Sequence, residues 1–323
     1  MALSDDPKTR RQKSVLVLGG AGFIGRHTVA ALLDARARVV IGTRFPGPMG
    51  KRTPPHSAAL DAEQREIKLE RLGNPDDWRE LIDDVDAVVN CVGILRQRRR
   101  ETYDAVHRRA PTALAVACKD EGKRFVHISA LGLEQPAKSR FLTSKRAGEN
   151  GIRSNGDDWI IARPSLLDGA GGFGATWLRG IARLPIFIAP ADAKGRIAAL
   201  DVGELGEALA RLALDDAESL RLARSRIFEL GGAESWEFRN YVYALRRTYT
   251  RTRSWCVPIP GLLARVGAHL CDVFHITPFS FGHWELLQRD NVPSENRLAE
   301  LLGRNPVSVV SRNFSDVELP PSD

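Results

Sequence analysis

Cysteine is scarce in this chain, and its four cysteines, Cys91, Cys118, Cys256 and Cys271, have neither paired metal-ligand spacing nor the pattern of a disulfide framework. That argues against a zinc module or a disulfide-knitted secreted domain and suits a reducing compartment. No apolar run approaches the ~18 residues needed to cross a bilayer. Met1 to Lys13 is polar and charged rather than signal-like. These features predict a frayed tail over residues 1–12 and a cytoplasmic chain, at most peripheral at a membrane. Internal repeats, low-complexity tracts and nucleic-acid-binding motifs are also missing. The net charge of +7 therefore reads as general surface charge from scattered arginines, dense only at Arg96, Arg98, Arg99 and Arg100. It remains compatible with an anionic membrane or an acidic partner.

The most informative feature present is Ser14 to Gly25, SVLVLGGAGFIG, an apolar run that breaks into G-x-x-G-x-x-G and then a helical pattern. Val15 to Leu18 read as a buried strand, and Val29, Ala30, Leu32 and Leu33 recur at helical spacing. Glycines in such a turn let backbone approach a pyrophosphate, whose charge then sits at the positive end of the following helix. Gly19, Gly22, Phe23, Ile24 and Gly25 are the expected cradle, with no metal site. The next strand, Arg38 to Thr43, ends at Arg44, and no acid follows until Asp61. An acid there would accept the 2′-hydroxyl of NAD; a cation suits the 2′-phosphate of NADP. The missing carboxylate and Arg44 favour NADP(H). Arg26, just after the last glycine, is either a second phosphate contact or a helix-surface residue.

Strand and helix continue to alternate, which predicts an α/β fold with a doubly wound parallel sheet. A third strand is expected over Glu66 to Leu72, then a short helix started by Asn74-Pro75-Asp76-Asp77. A fourth strand spans Asp86 to Gly93 and brings Cys91 and Gly93 to the dinucleotide, a helix follows over Tyr103 to Asp120, and a fifth strand spans Arg124 to Ser129. A helix over Phe141 to Arg153 and a strand opening at Trp159 come next. Phe45 to Pro55 is the long loop of the first half. Residues 13–168 form the expected Rossmann domain.

Gly19 to Gly25, Asn90 to Gly93, His127 to Gly132, Ser139 to Glu149, Arg163-Pro164-Ser165 and Phe228 to Gly232 occur in an order that resembles extended or atypical short-chain dehydrogenase/reductases. The chain looks most like the branch containing the nucleotide-binding accessory subunit of respiratory complex I and its bacterial relatives. The likeness runs from about Ser14 to Val310. It implies an NADP(H)-binding sheet domain and a smaller C-terminal lobe, residues 169–323, over the nicotinamide end, with 196–232 returning to the main sheet and Pro164 packing near the nicotinamide. The family's chemistry is hydride transfer aided by a tyrosine, a lysine four residues later, and a serine or threonine on the substrate oxygen. Residues i and i+4 share a helix face, so an ammonium can reach both a phenol and the ribose. Here Lys145 holds the lysine position but Phe141 replaces the tyrosine, so the usual proton donor is gone. Lys145 is expected to hold the ribose, and Ser129 is a candidate for the substrate hydroxyl. Tyr103 and His107 are weaker candidates for a proton.

Two readings follow. In the first, which Phe141 favours, NADP(H) stabilises an accessory or assembly protein of a respiratory or other membrane-associated complex. In the second, the chain is a working oxidoreductase or epimerase on a carbonyl or sugar-nucleotide substrate. Farther on, Leu262, Leu263, Val266, Leu270, Val273 and Phe274 form an apolar helical stripe, expected to pack in the core of the lobe. Pro278 to Trp284 reads as an aromatic turn beside it.

Overall fold

The computed structural model describes residues 11–47, 59, 61–169, 171–274 and 280–311, without the side chains of Phe173 and of residues 272–274. Most of the expected tail, most of the loop after Phe45, and Pro278-Phe279 lie outside the described residues. In chain order the elements are β1 (Ser14–Leu18), α1 (Phe23–Asp34), β2 (Arg38–Thr43), β3 (Glu63–Glu66), α2 (Asp76–Ile82), β4 (Ala87–Asn90), α3 (Ala110–Asp120), β5 (Arg124–Ile128), α4 (Arg140–Arg153) and β6 (Trp159–Pro164). There follow β7 (Leu167–Asp168), α5 (Phe173–Arg183), β8 (Ile186–Pro190), β9 (Arg196–Ile197), β10 (Leu200–Asp201), α6 (Val202–Leu214), β11 (Ile227–Leu230), β12 (Trp236–Glu237), α7 (Phe238–Arg247), β13 (Trp255–Ile259), α8 (Gly261–Phe274), α9 (Phe281–Leu287) and α10 (Leu298–Leu302).

Seven strands form one parallel sheet in the order β11-β6-β5-β4-β1-β2-β3, a doubly wound Rossmann arrangement. Its strands are apolar on both faces because both are covered. Val15 and Val17 of β1 point into one core with α1 and α6. Leu16 and Leu18 point into the other with Trp78, Leu114 and Ile152. The order reverses between β1 and β4, which opens a crevice at the strands' C-terminal ends. A third core, around Leu178, Phe187, Tyr241, Val242 and Leu245, holds the lobe together.

Three expectations need correction. The third strand lies at Glu63–Glu66, not Glu66 to Leu72, and Leu69–Arg71 is a 3₁₀ turn. As an edge strand it is held by ion pairs, Arg38 to Glu63 at 2.6 Å and Arg65 to Asp84 at 3.0 Å, which leave no apolar pattern to read. The helix after β4 is not continuous α: Asp104–Arg109 is a π-turn and α3 starts at Ala110. Pro111 has no N–H to offer the His107 carbonyl four residues back, so the wider spacing takes over. That spared carbonyl faces Gly148 of α4, where an added Cβ would fall on the oxygen.

The third correction concerns the apolar stripe of α8. Ala264 and Ala268 face inward, whereas Leu262, Leu263, Val266 and Leu270 are each at least half exposed. α8 packs on α9, where His269 stacks on Phe281 at 4.4 Å, and the larger apolar side chains of α8 point out.

Gly148→Ala should force α4 away from the π-turn and cost about 1–3 kcal/mol. Urea unfolding of the two proteins measures it; an unchanged midpoint would show that the helices have room to part.

Candidate functional site

β1 runs into a turn that leaves no room for side chains at Gly19 and Gly25. Gly19 has φ +70°, Gly22 N donates to the Gly19 carbonyl at 2.8 Å, and a Cβ on Gly25 would fall on that same carbonyl. Gly22 is the N-cap of α1, with no side-chain cap and no acid in the first turn. The free amides and the helix dipole thus converge on an open position, a fit for a dinucleotide's pyrophosphate. Arg26 does not take part at the surface: it is buried beside Gly171, its guanidinium 5.8 Å from the Phe23 ring centre.

A cleft of about 740 Å³ passes over this turn and follows the C-terminal ends of the strands. Gly19, Gly22, Phe23 and Ile24 line its middle, with Gly25 packed beneath. Cys91 and Gly93 follow β4 along the floor, and Pro164 ends β6 against it. The Cys91 thiol is pushed up to about 12 by burial, against a hydrogen bond with Thr28, and stays protonated. Arg44 borders the end beside β2, its side chain half exposed. There it meets a carboxylate that the sequence around β2 does not contain: Glu101, 57 residues on, is ion-paired to it, and Glu70 lines the same end. Glu101 is delivered by a tight reversal in which Arg98 and Glu101 exchange backbone hydrogen bonds of 2.9 and 3.1 Å.

At the opposite end, Phe141 and Lys145 lie one turn apart on α4 and both face the cleft, with the Lys145 Nζ 6.0 Å from the Phe141 ring centre. Burial pulls the Lys145 pKa down to about 8, and the Glu149 charge partly holds it up. Glu149, one turn further, is pushed up to about 6 by burial, opposed by the Ser129 hydroxyl and Lys145. Arg163 of β6 holds the Glu149 carboxylate, donating from Nε at 3.0 and 3.2 Å, and also pairs with Glu134. Ser129 borders the cleft just after β5, its hydroxyl buried beside Glu149.

His107 and Tyr103 are committed elsewhere. The His107 Nε2 accepts from the Ile94 amide at 3.1 Å, which leaves its proton on Nδ1 for Ser144 Oγ at 2.8 Å. Burial, with help from the Lys145 charge, lowers its pKa to about 2, so the ring stays neutral. The Tyr103 hydroxyl donates to the Leu95 carbonyl at 2.7 Å. Together they shape the loop after β4 rather than supply protons.

Two residues come into the site without a local signal in the sequence. Glu285 of α9 accepts from the amides of Lys138 and Ser139, both at 2.7 Å, and so ties the lobe to the start of α4. His283 lines the cleft with its ring stacked on Phe141 at 6.2 Å and its Nδ1 2.7 Å from Ser280 Oγ. Beyond it the cleft becomes apolar, walled by Trp177, Leu178, Phe238, Leu286 and Leu287.

A family model described as NAD(P)H-binding matches residues 19–176. Over 302 residues the chain is 29% identical to a protein named ceramide reductase from Caulobacter vibrioides, covering 88% of both. It is also 29% identical over 164 residues to the mouse mitochondrial NADH dehydrogenase [ubiquinone] 1 alpha subcomplex subunit 9, covering 47% of this chain and 40% of that one. Among solved structures, an NADPH-dependent quinone oxidoreductase from Escherichia coli, complexed with NADPH, superposes with a TM-score of 0.65 over 92% of this chain and 97% of its own, at 15% identity. Residues 19–176 thus form an NAD(P)H-binding domain, and the chain resembles atypical short-chain dehydrogenase/reductases and the complex I subunit. As in that family, the site is built for a nicotinamide dinucleotide. Among the described residues, no group of three or more His, Cys, Asp or Glu could hold a metal, and no helix is long and apolar enough to cross a membrane.

Gly22→Asp should abolish dinucleotide binding and leave the fold intact, because the added carboxylate would occupy the phosphate position without entering the core. A fluorescence titration with NADPH, paired with a thermal melt, tests this; unchanged affinity in a folded variant would remove the turn from the site.

Proposed function

We propose that the chain is an NADPH-dependent reductase of a carbonyl group carried by a long-chain, apolar molecule. The observation that carries this reading is the apolar continuation of the cleft past the Lys145 ammonium, where Trp177, Leu178, Phe238, Leu286 and Leu287 leave room for hydrocarbon. The likeness to the Caulobacter ceramide reductase, which spans nearly the whole chain, supports it. The likeness to the mouse mitochondrial subunit covers about half of this chain, although that to the Neurospora crassa mitochondrial 40 kDa subunit covers 76% of it at 24% identity.

The dinucleotide, when bound, supplies the hydride to the carbonyl carbon. The protein has three tasks. The bare glycine turn and the α1 N-terminus hold the pyrophosphate, and Arg44, released from Glu101, takes the 2′-phosphate. Phe141, His283 and the lobe wall keep bulk water from the reacting end. Lys145 supplies the proton to the carbonyl oxygen: with a pKa near 8 it is charged at neutral pH yet acidic enough to give the proton up, which an ordinary lysine is not. Glu149 behind it balances the charge.

A second reading has one observation in its favour. Phe141 removes the family's acid from the place where that acid normally stands, as expected of an accessory protein of a membrane-associated complex that binds the dinucleotide for stability alone. Incubation of the protein with NADPH and a long-chain ketone separates the two: oxidation of NADPH with formation of the alcohol supports the reductase, and none supports the scaffold.

Three outcomes are expected of the reductase. Wild-type protein should prefer NADPH to NADH, and Arg44→Glu should abolish the preference by about 1.5–3 kcal/mol, ten- to a hundredfold in Kd; equal wild-type affinities would remove Arg44 from the reading. Lys145 is the acid only while protonated, so kcat/KM should be level below pH 8 and fall about tenfold per unit above it. A rate that rises through pH 8 would make the lysine a base instead. Lys145→Met should remove that pH break and about 10²–10⁴ of the rate, and Phe141→Tyr should restore activity to that variant in part by returning a phenol to the same helix face.

A further inference from the structure

β8 and β13 form a two-stranded parallel ribbon on the lobe, with Ile186 opposite Trp255 and Ile188 opposite Val257. Successive residues on a strand alternate faces, so one face of the ribbon carries Phe187 and Ala189, both buried in the lobe core. The other face presents Ile186, Ile188, Trp255 and Val257 to solvent, with Trp255 76% exposed. Leu184 precedes β8 and is also half exposed. Pro260 then leads from β13 into α8, whose Leu262, Leu263, Val266 and Leu270 are exposed as well, Leu262 at 72%. Nine large apolar side chains on the paired strands β8 and β13, the residue before β8 and the helix that follows β13 exceed the scattered exposure of an ordinary surface.

The charge on this stretch of chain is mostly basic, although Asp192, after β8, lies against Gly261 at the start of α8. Phe238 to Cys271 contains six arginines and no acid. Arg246 is buried and caps backbone carbonyls of Ala182 and Leu184. Arg247, Arg251, Arg253 and Arg265 are exposed, as is Arg183 before β8. The Arg265 guanidinium lies 5.8 Å from the Phe281 ring centre, at the border between α8 and α9. A protein partner complementary to this surface would have to cover apolar groups and neutralise arginines at the same time. An anionic bilayer does both: its acyl region takes Ile, Leu and Val, its interface suits an indole, and its headgroups pair with arginine.

We propose that the β8-β13 ribbon and α8 form a docking face for an anionic lipid bilayer, on which the protein lies peripherally. α8 packs on α9, whose Leu286 and Leu287 line the apolar end of the cleft. Docking therefore brings the cleft's apolar end close to the hydrocarbon, a consequence that rests on the reductase reading although the docking itself does not.

Flotation of the full chain with vesicles tests the proposal without cofactor or substrate, so the outcome is separate from the question of turnover. The protein should float with phosphatidylcholine vesicles containing roughly 30 mol% phosphatidylglycerol, and much less with pure phosphatidylcholine or in about 0.5 M salt. Ile188→Glu with Val266→Glu should weaken vesicle binding at least about tenfold, since both place charge at the acyl boundary. Arg251→Ser with Arg253→Ser should lower the dependence on anionic lipid. Near-UV circular dichroism confirms that the variants, altered only at exposed positions, remain folded. Wild-type protein that stays with the soluble fraction at every composition overturns the proposal, as does vesicle binding indifferent to both double variants. A dimer seen by sedimentation and dissociated by Ile188→Glu with Val266→Glu, without vesicle binding, would assign the face to a second copy of the chain and overturn it equally.

Discussion

The inner end of the cleft depends on a contact made by a position without a side chain. Gly148 lets α4 press against the His107 carbonyl, which is available because Pro111 has no N–H to bond it. That approach fixes how deep α4 sits, and with it the depth of Phe141 and Lys145. The same π-turn carries His107, whose two ring nitrogens tie Ile94 to Ser144 and so join the loop after β4 to α4. The cleft's floor and its functional helix are thus one rigid unit.

Electrostatics within that unit follow from burial. Lys145 and Glu149 share one helix face below the protein surface, and each moves toward its neutral form while the other's charge resists. Arg163 keeps the Glu149 carboxylate in place from the opposite side, with Glu134 and Glu229 near the same guanidinium. A charge cluster of this kind contributes little net stability, because desolvation offsets most of its attraction. What it provides is a lysine with its pKa lowered to about 8, one helical turn from Phe141.

The lobe is joined to this frame by specific side-chain bonds. Glu285 takes the two amides that precede α4, and Arg289 reaches carbonyls at Gly132, Gln135 and Pro136. Both come from the segment just before and after Leu287, so the element that closes the apolar end of the cleft is also the one anchored to the sheet domain. The outward face of the lobe is free of such obligations, which is why apolar side chains there need another explanation.

The sequence by itself determined the parallel sheet, the glycine turn and the dinucleotide class. These depend on short-range patterns: both-face burial writes continuous apolar strands, and a side chain at Gly25 would collide with its own turn. It also placed Phe141 and Lys145 on one helix face, since helical spacing is local. Only the tertiary structure brought Glu101 to Arg44, Glu285 to α4 and His283 to Phe141, because each pair joins residues 57 to 146 positions apart, with no local signal, or across two elements whose contact is set by packing. It also decided the direction of α8. Apolar periodicity shows that a helix has a face, but whether alanines or leucines turn inward depends on how closely the neighbouring helix approaches.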